Sequence, residues 1–192
     1  MQEEQLVYRL KEKNAEAFRF LVDTFRDRVF NICLNFLQSR QDAEELTQDV
    51  FVEVHRSVGK FRMESSLSTW IYKIAVNKSL EHRRKQKRKK RFAYLIELTG
   101  FGKSGESHEG ATFDHPGIEL ENRERGEILF RVINELPDNQ KAAFILCEVE
   151  GLSYKDIASI LDTSVPSVES LIFRAKQSLR NKLYDIYKKQ GI

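Results

Sequence analysis

The chain has 192 residues, of which 41% are hydrophobic and 10% aromatic, enough to bury one large core or two small ones. Its 32 Lys and Arg against 29 Asp and Glu give a formal net charge of +3, too small to establish a polyanion partner by itself. No apolar run approaches the roughly 20 residues that cross a bilayer, and the N-terminal stretch lacks a signal peptide's basic start and apolar core, so we expect a cytoplasmic protein with no membrane insertion.

The N-terminal part of the chain has the apolar period of two helices. A short helix is predicted over Glu3–Lys11, with Leu6, Val7 and Leu10 facing inward. A longer helix follows, with Asn14 as its N-terminal cap. Its inward positions are Phe18, Leu21, Val22, Phe25, Val29, Ile32, Cys33 and Phe36. This spacing predicts a core helix.

The third predicted helix has two faces of different chemistry. Its buried stripe is Ala43, Leu46, Val50 and Val54, with Phe51 beside it. Its outer face carries Asp42, Glu45, Asp49 and Glu53. With Asp42 as the cap, the first turn has carboxylates where the helix dipole favours them. Periodicity alone fits a solvated acidic face, and the other interpretation is a docking surface for a basic partner.

A fourth helix is predicted to begin near Leu67, because the hydroxyls of Ser65 and Ser66 can bind the free amides of its first turn. Its inward positions are Leu67, Trp70, Ile71, Ile74 and Ala75, and its second stripe is Lys73, Asn77, Glu81 and Arg84. It leads into residues 82–91, of which eight are Lys or Arg. Trp70 alone fits a core aromatic equally well, and the basic run alone fits a solvated helix end. Their combination favours binding to nucleic acid.

The composition changes after the basic run. Residues 92–120 contain five of the nine glycines, one proline, and five acidic residues against one basic residue, which predicts a flexible acidic linker. His108 and His115 lie here without Cys or His companions at ligand spacing, so we expect no metal site. Cys33 and Cys147 are isolated on apolar stretches, which is typical of buried free thiols.

Helical patterning resumes at Glu121. The first helix of this part is predicted to bury Ile128, Leu129, Val132, Ile133 and Leu136 and to end before Pro137. A second helix over residues 138–149 is predicted to bury Ala142, Ile145, Leu146 and Val149 and to stop at Gly151.

A helix-turn-helix is predicted next. Ser153 and Asp156 have capping-box spacing, residues 162–164 form a tight turn, and a longer helix follows with Pro166 in its first turn. The second helix of such a motif normally enters the major groove. Its outward positions are Ser167, Ser170, Phe173, Arg174 and Gln177 for bases or backbone, and Lys176, Arg180 and Lys182 for phosphates. Glu169 fits either a base contact or a helix-start carboxylate. An ordinary helical hairpin is the alternative, but the cap, the turn and the polar face agree on the motif.

Three stretches, in this order and spacing, resemble the sigma-70 family of bacterial transcription initiation factors, in its small extracytoplasmic-function (ECF) group. They are DAEELTQDVFVEVHR, FRMESSLSTWIYKIAVNKSLEHRRK and LPDNQKAAFILCEVEGLSYKDIASILDTSVPSVESLIFRAKQSLRNKL. The helix-turn-helix alone would also suit the output domain of a response regulator, so the order of the stretches decides.

The resemblance implies an all-α fold of two small helical domains joined by a flexible linker. Residues 1–91 are then like sigma region 2, residues 92–120 like the family's connector, and residues 121–192 like region 4 with its helix-turn-helix. The connector runs through the polymerase toward the RNA exit channel, which is consistent with its acidic excess.

The function that this resemblance implies is that of a sigma factor, which binds core RNA polymerase, recognises the −10 and −35 promoter elements and promotes strand opening. The implied partners are core RNA polymerase, through the β′ clamp helices and the β subunit, promoter DNA, and an anti-sigma factor. We expect no enzyme activity and no cofactor, because the sequence has no Gly-rich phosphate loop and no paired carboxylates flanked by a base. A stand-alone helix-turn-helix regulator is the alternative.

The resemblance also assigns residues to three surfaces. The polymerase-binding set is Asp42, Glu45, Gln48, Asp49 and Glu53. The −10 set is Phe61, Arg62, Met63, Ser65, Ser66, Trp70, Lys73, Asn77 and Arg84, in which the loop 61–66 would hold a flipped base and Asn77 would read the element. The −35 set is Ser167, Glu169, Ser170, Phe173, Arg174, Lys176, Gln177 and Arg180. Pro166 and Glu169 depart from the family's usual residues, so the −35 preference is not implied.

Overall fold

A computed structural model of the chain describes residues 2–99 and 123–190, with the side chains of residues 94–99, 123, 124 and 190 left out. Every regular element in these two ranges is helical, which confirms the all-α prediction. The elements are α1 (Glu3–Lys11), α2 (Ala15–Leu37), α3 (Arg40–Ser57), a 3₁₀ turn (Val58–Lys60), α4 (Leu67–Thr99), α5 (Arg123–Asn134), α6 (Asp138–Phe144), a π-helical turn (Ile145–Val149), α7 (Tyr154–Ile160) and α8 (Val165–Gln190). None of the described helices combines the length and apolar character needed to span a membrane.

The first domain is built around α2, which packs against α1, α3 and α4. The predicted apolar stripes supply its core. Its fully buried side chains include Leu21, Val29, Ile32 and Cys33 of α2, Ala43, Val50 and Val54 of α3, and Ile71 and Ala75 of α4. Each large aliphatic side chain buried in this way contributes roughly 1.5–3 kcal/mol relative to exposure. The packing leaves the outer faces of α3 and α4 for other contacts.

Side-chain caps fix where these helices begin. The Asn14 side chain accepts a hydrogen bond from the Ala17 amide at 2.9 Å, as predicted. The cap of α3 is Ser39, whose hydroxyl accepts from the Asp42 amide at 3.3 Å, so the prediction of Asp42 as the cap was wrong. The reason is that Gln38, at φ 55°, closes α2 in the left-handed conformation and α3 begins two residues later.

The chain stays helical beyond the basic run. Because α4 continues to Thr99, the linker that we predicted to start at residue 92 starts no earlier than residue 100. The rest of that prediction, including His108 and His115, lies outside the described residues.

The second domain contains α5 to α8, with α8 packed against α5, α6 and α7. Two burial predictions fail here. Leu129 is 37% exposed, and Phe130 is buried in its place, because α5 also faces the first domain, where the Gln38 amide donates to the Phe130 carbonyl at 3.3 Å. Val149 is 43% exposed because the helix after Phe144 widens into a π turn, which shifts the later side chains out of the α-helical phase.

The helix-turn-helix forms as predicted. The Ser153 hydroxyl accepts from the Asp156 amide at 3.1 Å and so caps α7. Asp162 then turns the chain at φ 50°, and Val165 begins α8. Gly151, at φ 65°, ends the preceding π turn, where a side chain would be strained.

The two domains pack against each other. Helix α4 contacts α7, and α2 contacts the π turn. Polar contacts across this boundary include Lys141 Nζ to the Phe36 carbonyl at 2.8 Å and Arg83 to the Asn134 carbonyl at 3.0 Å. The predicted DNA-binding face of α4 therefore lies beside the helix-turn-helix.

Candidate nucleic-acid and protein-binding surfaces

The loop before α4, residues 61–66, is held in place by contacts with α4 and α1. Phe61 is only 4% exposed, and the centre of its ring lies 4.9 Å from that of Trp70. Phe61 therefore packs beneath the loop and is not part of the loop's outer surface. The Ser66 hydroxyl accepts from the Thr69 amide at 3.1 Å, which caps α4 as the sequence predicted. A carboxylate of α1, from Glu3, accepts from the Leu67 amide at 2.9 Å. The beginning of α4 is thus fixed to the preceding loop and to α1.

The tip of the loop is available for contacts. Arg62 and Met63 are exposed, and Met63 has φ 59°, a left-handed conformation that is uncommon for residues other than glycine. Ser65 is half-buried, and its hydroxyl donates to the Ser66 carbonyl at 3.4 Å. The guanidinium group of Arg62 lies 3.9 Å from the Glu64 carboxylate, and both side chains are exposed to solvent. The tip of the loop therefore presents Arg62, the flexible apolar side chain of Met63 and the hydroxyl of Ser65.

The polar stripe of α4 lies along the same side. Trp70 and Lys73 are half-buried, and Asn77 and Arg84 are exposed. Lys73 is ion-paired with Asp162 from the helix-turn-helix. Arg84 is ion-paired with Asp138 at 3.3 Å. The side chain of Asn77 makes no hydrogen bond within the described part of the chain, so its amide group is free to bind a ligand.

A cavity of about 510 Å³ opens between the loop and the second domain. The first domain lines it with Phe61, Arg62, Trp70 and Lys73 among others, and the second domain with Ala158, Ser159, Asp162 and Thr163. The lining contains two aromatic side chains, three cations, two carboxylates and several hydroxyl groups. Aromatic side chains and cations around a concave space are suited to an unstacked base and its phosphate. The space is bounded on one side by the helix-turn-helix.

The basic run of α4 is not uniform. Residues 84, 85 and 87–91 are exposed, as a polyanion-binding surface requires. Arg83 is buried, and its guanidinium lies 3.7 Å from the Asp138 carboxylate. Burial lowers the pKa of Arg83, while Asp138 opposes that shift. For Asp138 itself burial favours a higher pKa, but Lys87, Arg83 and Arg84 outweigh it and hold the pKa below its usual value. Arg83 therefore stabilises the fold through Asp138, whereas the exposed basic residues around it are available to a polyanion.

The acidic face of α3 is exposed where the sequence predicted. Glu45, Gln48 and Asp49 are exposed, and Glu53 is half-buried. Asp42 is half-buried at one end, where it accepts from Gln86 of α4 at 3.3 Å. Along the middle of this row, Glu45 and Asp49 form no ion pair with any residue that the structure describes. Such carboxylates can bind cationic side chains of another protein.

The outer face of α8 carries the residues predicted for DNA. The Ser164 hydroxyl accepts from the Ser167 amide at 3.4 Å at the start of the helix. Glu169, Ser170, Phe173, Arg174, Gln177 and Arg180 are exposed, and Ser167 is half-buried. Phe173 is 68% exposed, which is unusual for an aromatic side chain and fits contact with a thymine methyl group. Lys176 is paired with Glu148 at 2.9 Å, and this pair lowers the pKa of Glu148.

Several interdomain residues were missed by the sequence analysis. Lys141 is fully buried and Asp138 half-buried, and Asp162 lies at the turn of the helix-turn-helix. Glu150 accepts from Asn35 at 2.9 Å and pairs with Arg28. One signal was present for Lys141, which is four residues before Ile145 and so lies on the apolar stripe of its helix. No comparable signal pointed to Asp138, Asp162 or Glu150.

The described residues contain no group of three or more His, Cys, Asp or Glu side chains that could hold a metal ion. Cys33 and Cys147 are free thiols. Burial raises the pKa of Cys33 to about 11, which keeps this thiol protonated and unreactive.

Comparison with known proteins gives two family matches. The family described as Sigma-70 region 2 matches residues 21–89. The family described as Sigma-70, region 4 matches residues 126–179. The first match spans most of α2, all of α3 and most of α4. The second match runs from residue 126 in α5, through α6 and α7, to Leu179 in α8.

Similar curated proteins cover nearly the whole chain. An ECF RNA polymerase sigma-E factor of Haemophilus influenzae is 34% identical over 185 residues, covering 94% of this chain and 95% of that protein. The RNA polymerase sigma-H factor of Pseudomonas aeruginosa is 30% identical, covering 95% of this chain and 94% of that protein. The ECF RNA polymerase sigma-E factor of Escherichia coli is 31% identical, with 96% and 95% covered.

Two solved structures share the fold. CnrH, in complex with the cytosolic domain of CnrY, has a TM-score of 0.64 at 20% identity and covers 95% of this chain and 97% of its own. The sigma factor RpoE of Bartonella quintana, in complex with the anti-sigma factor NepR, has a TM-score of 0.63 at 21% identity, with 88% and 98% covered.

Proposed function

Because the chain belongs to the sigma-70 family of RNA polymerase sigma factors, in its ECF group, we propose that it works through the three surfaces described above. Its function is to bind core RNA polymerase, recognise the −10 and −35 promoter elements and promote strand opening. Sigma factors are initiation factors rather than enzymes, so the bond-forming chemistry belongs to the polymerase. We accordingly assign no catalytic residue to this chain and place its action in the cytoplasm, where RNA polymerase works.

The acidic face of α3 is the proposed docking surface for the β′ clamp helices, with the β subunit as a further contact. Its residues are Asp42, Glu45, Gln48, Asp49 and Glu53. The exposure of Glu45 and Asp49 supports this role, because carboxylates already paired within the chain would contribute little to a partner. Asp42 contributes least, since it is half-buried against α4.

The loop 61–66 and the stripe of α4 form the proposed −10 site. Strand opening requires a surface that binds single-stranded DNA better than duplex DNA. Trp70, resting on Phe61, provides a fixed aromatic wall. Arg62, Lys73 and Arg84 provide cations for the phosphates, and the free amide of Asn77 reads a base. Extruding one base costs a few kcal/mol, which these contacts and those of the polymerase must offset.

The outer face of α8 is the proposed −35 site. Its polar and aromatic positions lie on the helix that a helix-turn-helix places in the major groove. The exposure of Ser170, Phe173, Arg174 and Gln177 supports direct base contacts, and that of Arg180 a phosphate contact. Glu169 near the start of the helix can accept from a cytosine amino group.

An anti-sigma protein is a further proposed partner. The two solved structures described above were determined as complexes, one of them with an anti-sigma factor. A partner that covers the α3 face or the α4 stripe would block the polymerase or the promoter.

The exposed acidic row on α3 is the observation that carries this proposal, and capture of purified core RNA polymerase tests it. We expect near-stoichiometric, salt-sensitive capture by the wild-type chain and roughly tenfold weaker binding by Asp49→Lys, because a charge that attracted a basic partner then repels it. Asp23→Lys, an equal reversal at an exposed position of α2, is the matched control and should bind like the wild type.

Equal binding by Asp49→Lys and Asp23→Lys would mean that the α3 face is only a solvated acidic surface and does not bind the polymerase. No capture at all, together with tight duplex binding by the chain alone, would instead support a stand-alone helix-turn-helix regulator.

A further inference from the structure

Helix α1 contacts the chain at both ends of the loop 61–66, which the proposed −10 site uses to hold a base. At one end, α1 packs against the 3₁₀ turn Val58–Lys60, which leads directly into the loop. At the other end, the Glu3 carboxylate accepts a hydrogen bond from the Leu67 amide at 2.9 Å. The two partners of this hydrogen bond are 64 positions apart in the sequence, so it is a tertiary contact and not a local cap.

Helix α1 is itself held firmly in the first domain. Its side chains Leu6, Val7 and Leu10 are buried, and the helix packs against α2 as well as against the 3₁₀ turn. Glu3 is the first residue of this helix. Its carboxylate therefore reaches α4 from an element whose place in the domain is fixed by apolar packing.

Two side chains share the amides of the first turn of α4. The Ser66 hydroxyl accepts from the Thr69 amide at 3.1 Å, and the Glu3 carboxylate accepts from the Leu67 amide. Amides in the first turn of a helix have no carbonyl partner within the helix, and a negative charge is favoured at this end of the helix dipole. Ser66 caps the helix from its own loop, whereas Glu3 fixes the start of the helix relative to α1.

The loop between these two contacts has few interactions of its own beyond the buried Phe61. Arg62 and Glu64 lie 3.9 Å apart with both side chains exposed, and such pairs stabilise a conformation little. The Ser65 hydroxyl makes one long hydrogen bond, of 3.4 Å. Met63 has φ 59°, a conformation that a residue with a side chain keeps only when the surrounding structure imposes it. The positions of the two ends therefore determine the shape of the loop.

We propose that Glu3 is a positioning residue of the −10 site, whose hydrogen bond to the Leu67 amide holds the loop 61–66 in the shape that receives an unstacked base. This role rests on the −10 function proposed above for the loop. Glu3 does not contact DNA itself and acts through the backbone at the start of α4. A site that receives a base must be shaped before the base arrives, so a loop with one loose end binds the unpaired strand more weakly.

The test uses the full chain assembled with core RNA polymerase, on a promoter fragment that the wild-type assembly opens. Glu3→Ala removes the acceptor, and Glu3→Gln keeps a carbonyl oxygen that can accept from the Leu67 amide. Glu4→Ala is the matched control. Glu4 lies beside Glu3 in the first turn of α1, is exposed, and has no side-chain hydrogen bond or ion pair among the described residues. Asn77→Ala reports separately whether α4 reads the −10 element.

We expect Glu3→Ala to give about three- to tenfold less open complex than Glu4→Ala, measured by the permanganate reactivity of unpaired thymines. Glu3→Gln should stay within about twofold of the control, because it keeps the hydrogen bond and loses only the charge. Capture of core polymerase should be the same for all three variants. Hydrogen exchange followed by mass spectrometry should show faster exchange in residues 61–70 of Glu3→Ala, and unchanged exchange in α3.

Four results would contradict this role of Glu3, and only one of them reaches the proposed function. Equal opening by Glu3→Ala and Glu4→Ala, with Asn77→Ala still impaired, would make Glu3 a cap without a part in opening and leave the −10 site in place. Normal opening by Asn77→Ala as well would remove the −10 role of α4. Parallel loss of polymerase capture and opening would mean that Glu3 supports the whole first domain. Glu3→Gln as weak as Glu3→Ala would exclude the hydrogen bond as the cause.

Discussion

Asn77 is the residue of α4 best placed to read a base, because its amide is exposed and makes no hydrogen bond within the described part of the chain. An amide can both donate to and accept from a base edge, which a cation cannot do. Asn77 lies between Lys73 and Arg84 on α4. A DNA strand whose phosphates contacted those two cations would therefore pass over Asn77. In the proposed −10 site, the role we assign to Asn77 is therefore recognition of a base, and the role we assign to Lys73 and Arg84 is affinity for the phosphates.

Replacing Asn77 by alanine should impair opening of the promoter without weakening the binding of the protein to core RNA polymerase. Loss of one base contact of this kind costs about 1–3 kcal/mol, or roughly five- to 150-fold in the amount of open complex. Permanganate reactivity of unpaired thymines measures opening, and capture of core polymerase measures docking. Asn181→Ala, at an exposed site on α8, is the control. Equal loss of opening and docking would contradict the role given to Asn77.

Lys141 is the other residue whose chemistry can be tested directly. Its ammonium group is fully buried, donates to the Phe36 carbonyl and to Asn134, and lies 5.7 Å from the centre of the Phe36 ring. Burial lowers its pKa to about 6, with Arg83 and Lys87 acting in the same direction and Asp138 opposing them. Burial therefore favours the neutral amine form of Lys141 in the folded chain.

The stability of the chain should consequently depend on pH through Lys141. In the unfolded chain this lysine keeps its proton up to its usual pKa of 10.5, but in the folded chain only up to about 6. Between these values the unfolded state binds more protons, so stability rises with pH, by at most about 1.4 kcal/mol for each pH unit. Below about pH 6 both states are protonated and the dependence vanishes.

Urea unfolding of the wild type and of Lys141→Met at about pH 6.5 and about pH 8.5 measures this effect. The difference in unfolding free energy, wild type minus Lys141→Met, should become more positive at the higher pH. Lys155→Met, at an exposed position of α7, should follow the wild type at both values. If the curves for wild type and Lys141→Met shift in parallel, Lys141 is charged in the folded chain.

At the scale of the helices, most of the fold could be predicted from the sequence, because long amphipathic helices have a strong period. Helix α1 and the N-terminal caps of α2 and α7 lie where the pattern placed them. The cap of α3 was harder to predict, since Ser39 and Asp42 are both good caps and only the left-handed Gln38 decides between them. The linker was predicted to begin at residue 92 from composition, whereas α4 continues to Thr99. Residues 92–99 contain no glycine or proline that would end the helix, and the first such residue is Gly100.

The π turn after α6 shows why a correct helix can still give a wrong buried face. A strict α-helical period over residues 138–149 puts Val149 on the buried stripe. The extra residue in the π turn moves it to the surface, and no local sequence signal announces such a turn.

At the scale of the whole molecule, the order of the motifs predicted the family, but the contact between the domains could not be predicted. The sequence has 32 basic and 29 acidic residues, and periodicity does not tell which of them pair when they lie far apart in sequence. The pairing of Asp138 and Asp162 with α4 emerges only when both domains are folded and placed together. The predicted DNA-binding residues are therefore on the expected helices, but two of them, Lys73 and Arg84, are paired with carboxylates of the other domain.

The central claim is that the chain gives core RNA polymerase the ability to start at particular promoters. Mapping the 5′ ends of transcripts made by purified core polymerase, with and without the protein, on genomic DNA fragments of the bacterium that encodes it tests this claim most directly. The account predicts new start sites that depend on the protein and share one sequence pair at the −10 and −35 positions, and that are weakened by Asn77→Ala. Transcripts whose starts are the same with and without the protein would contradict it.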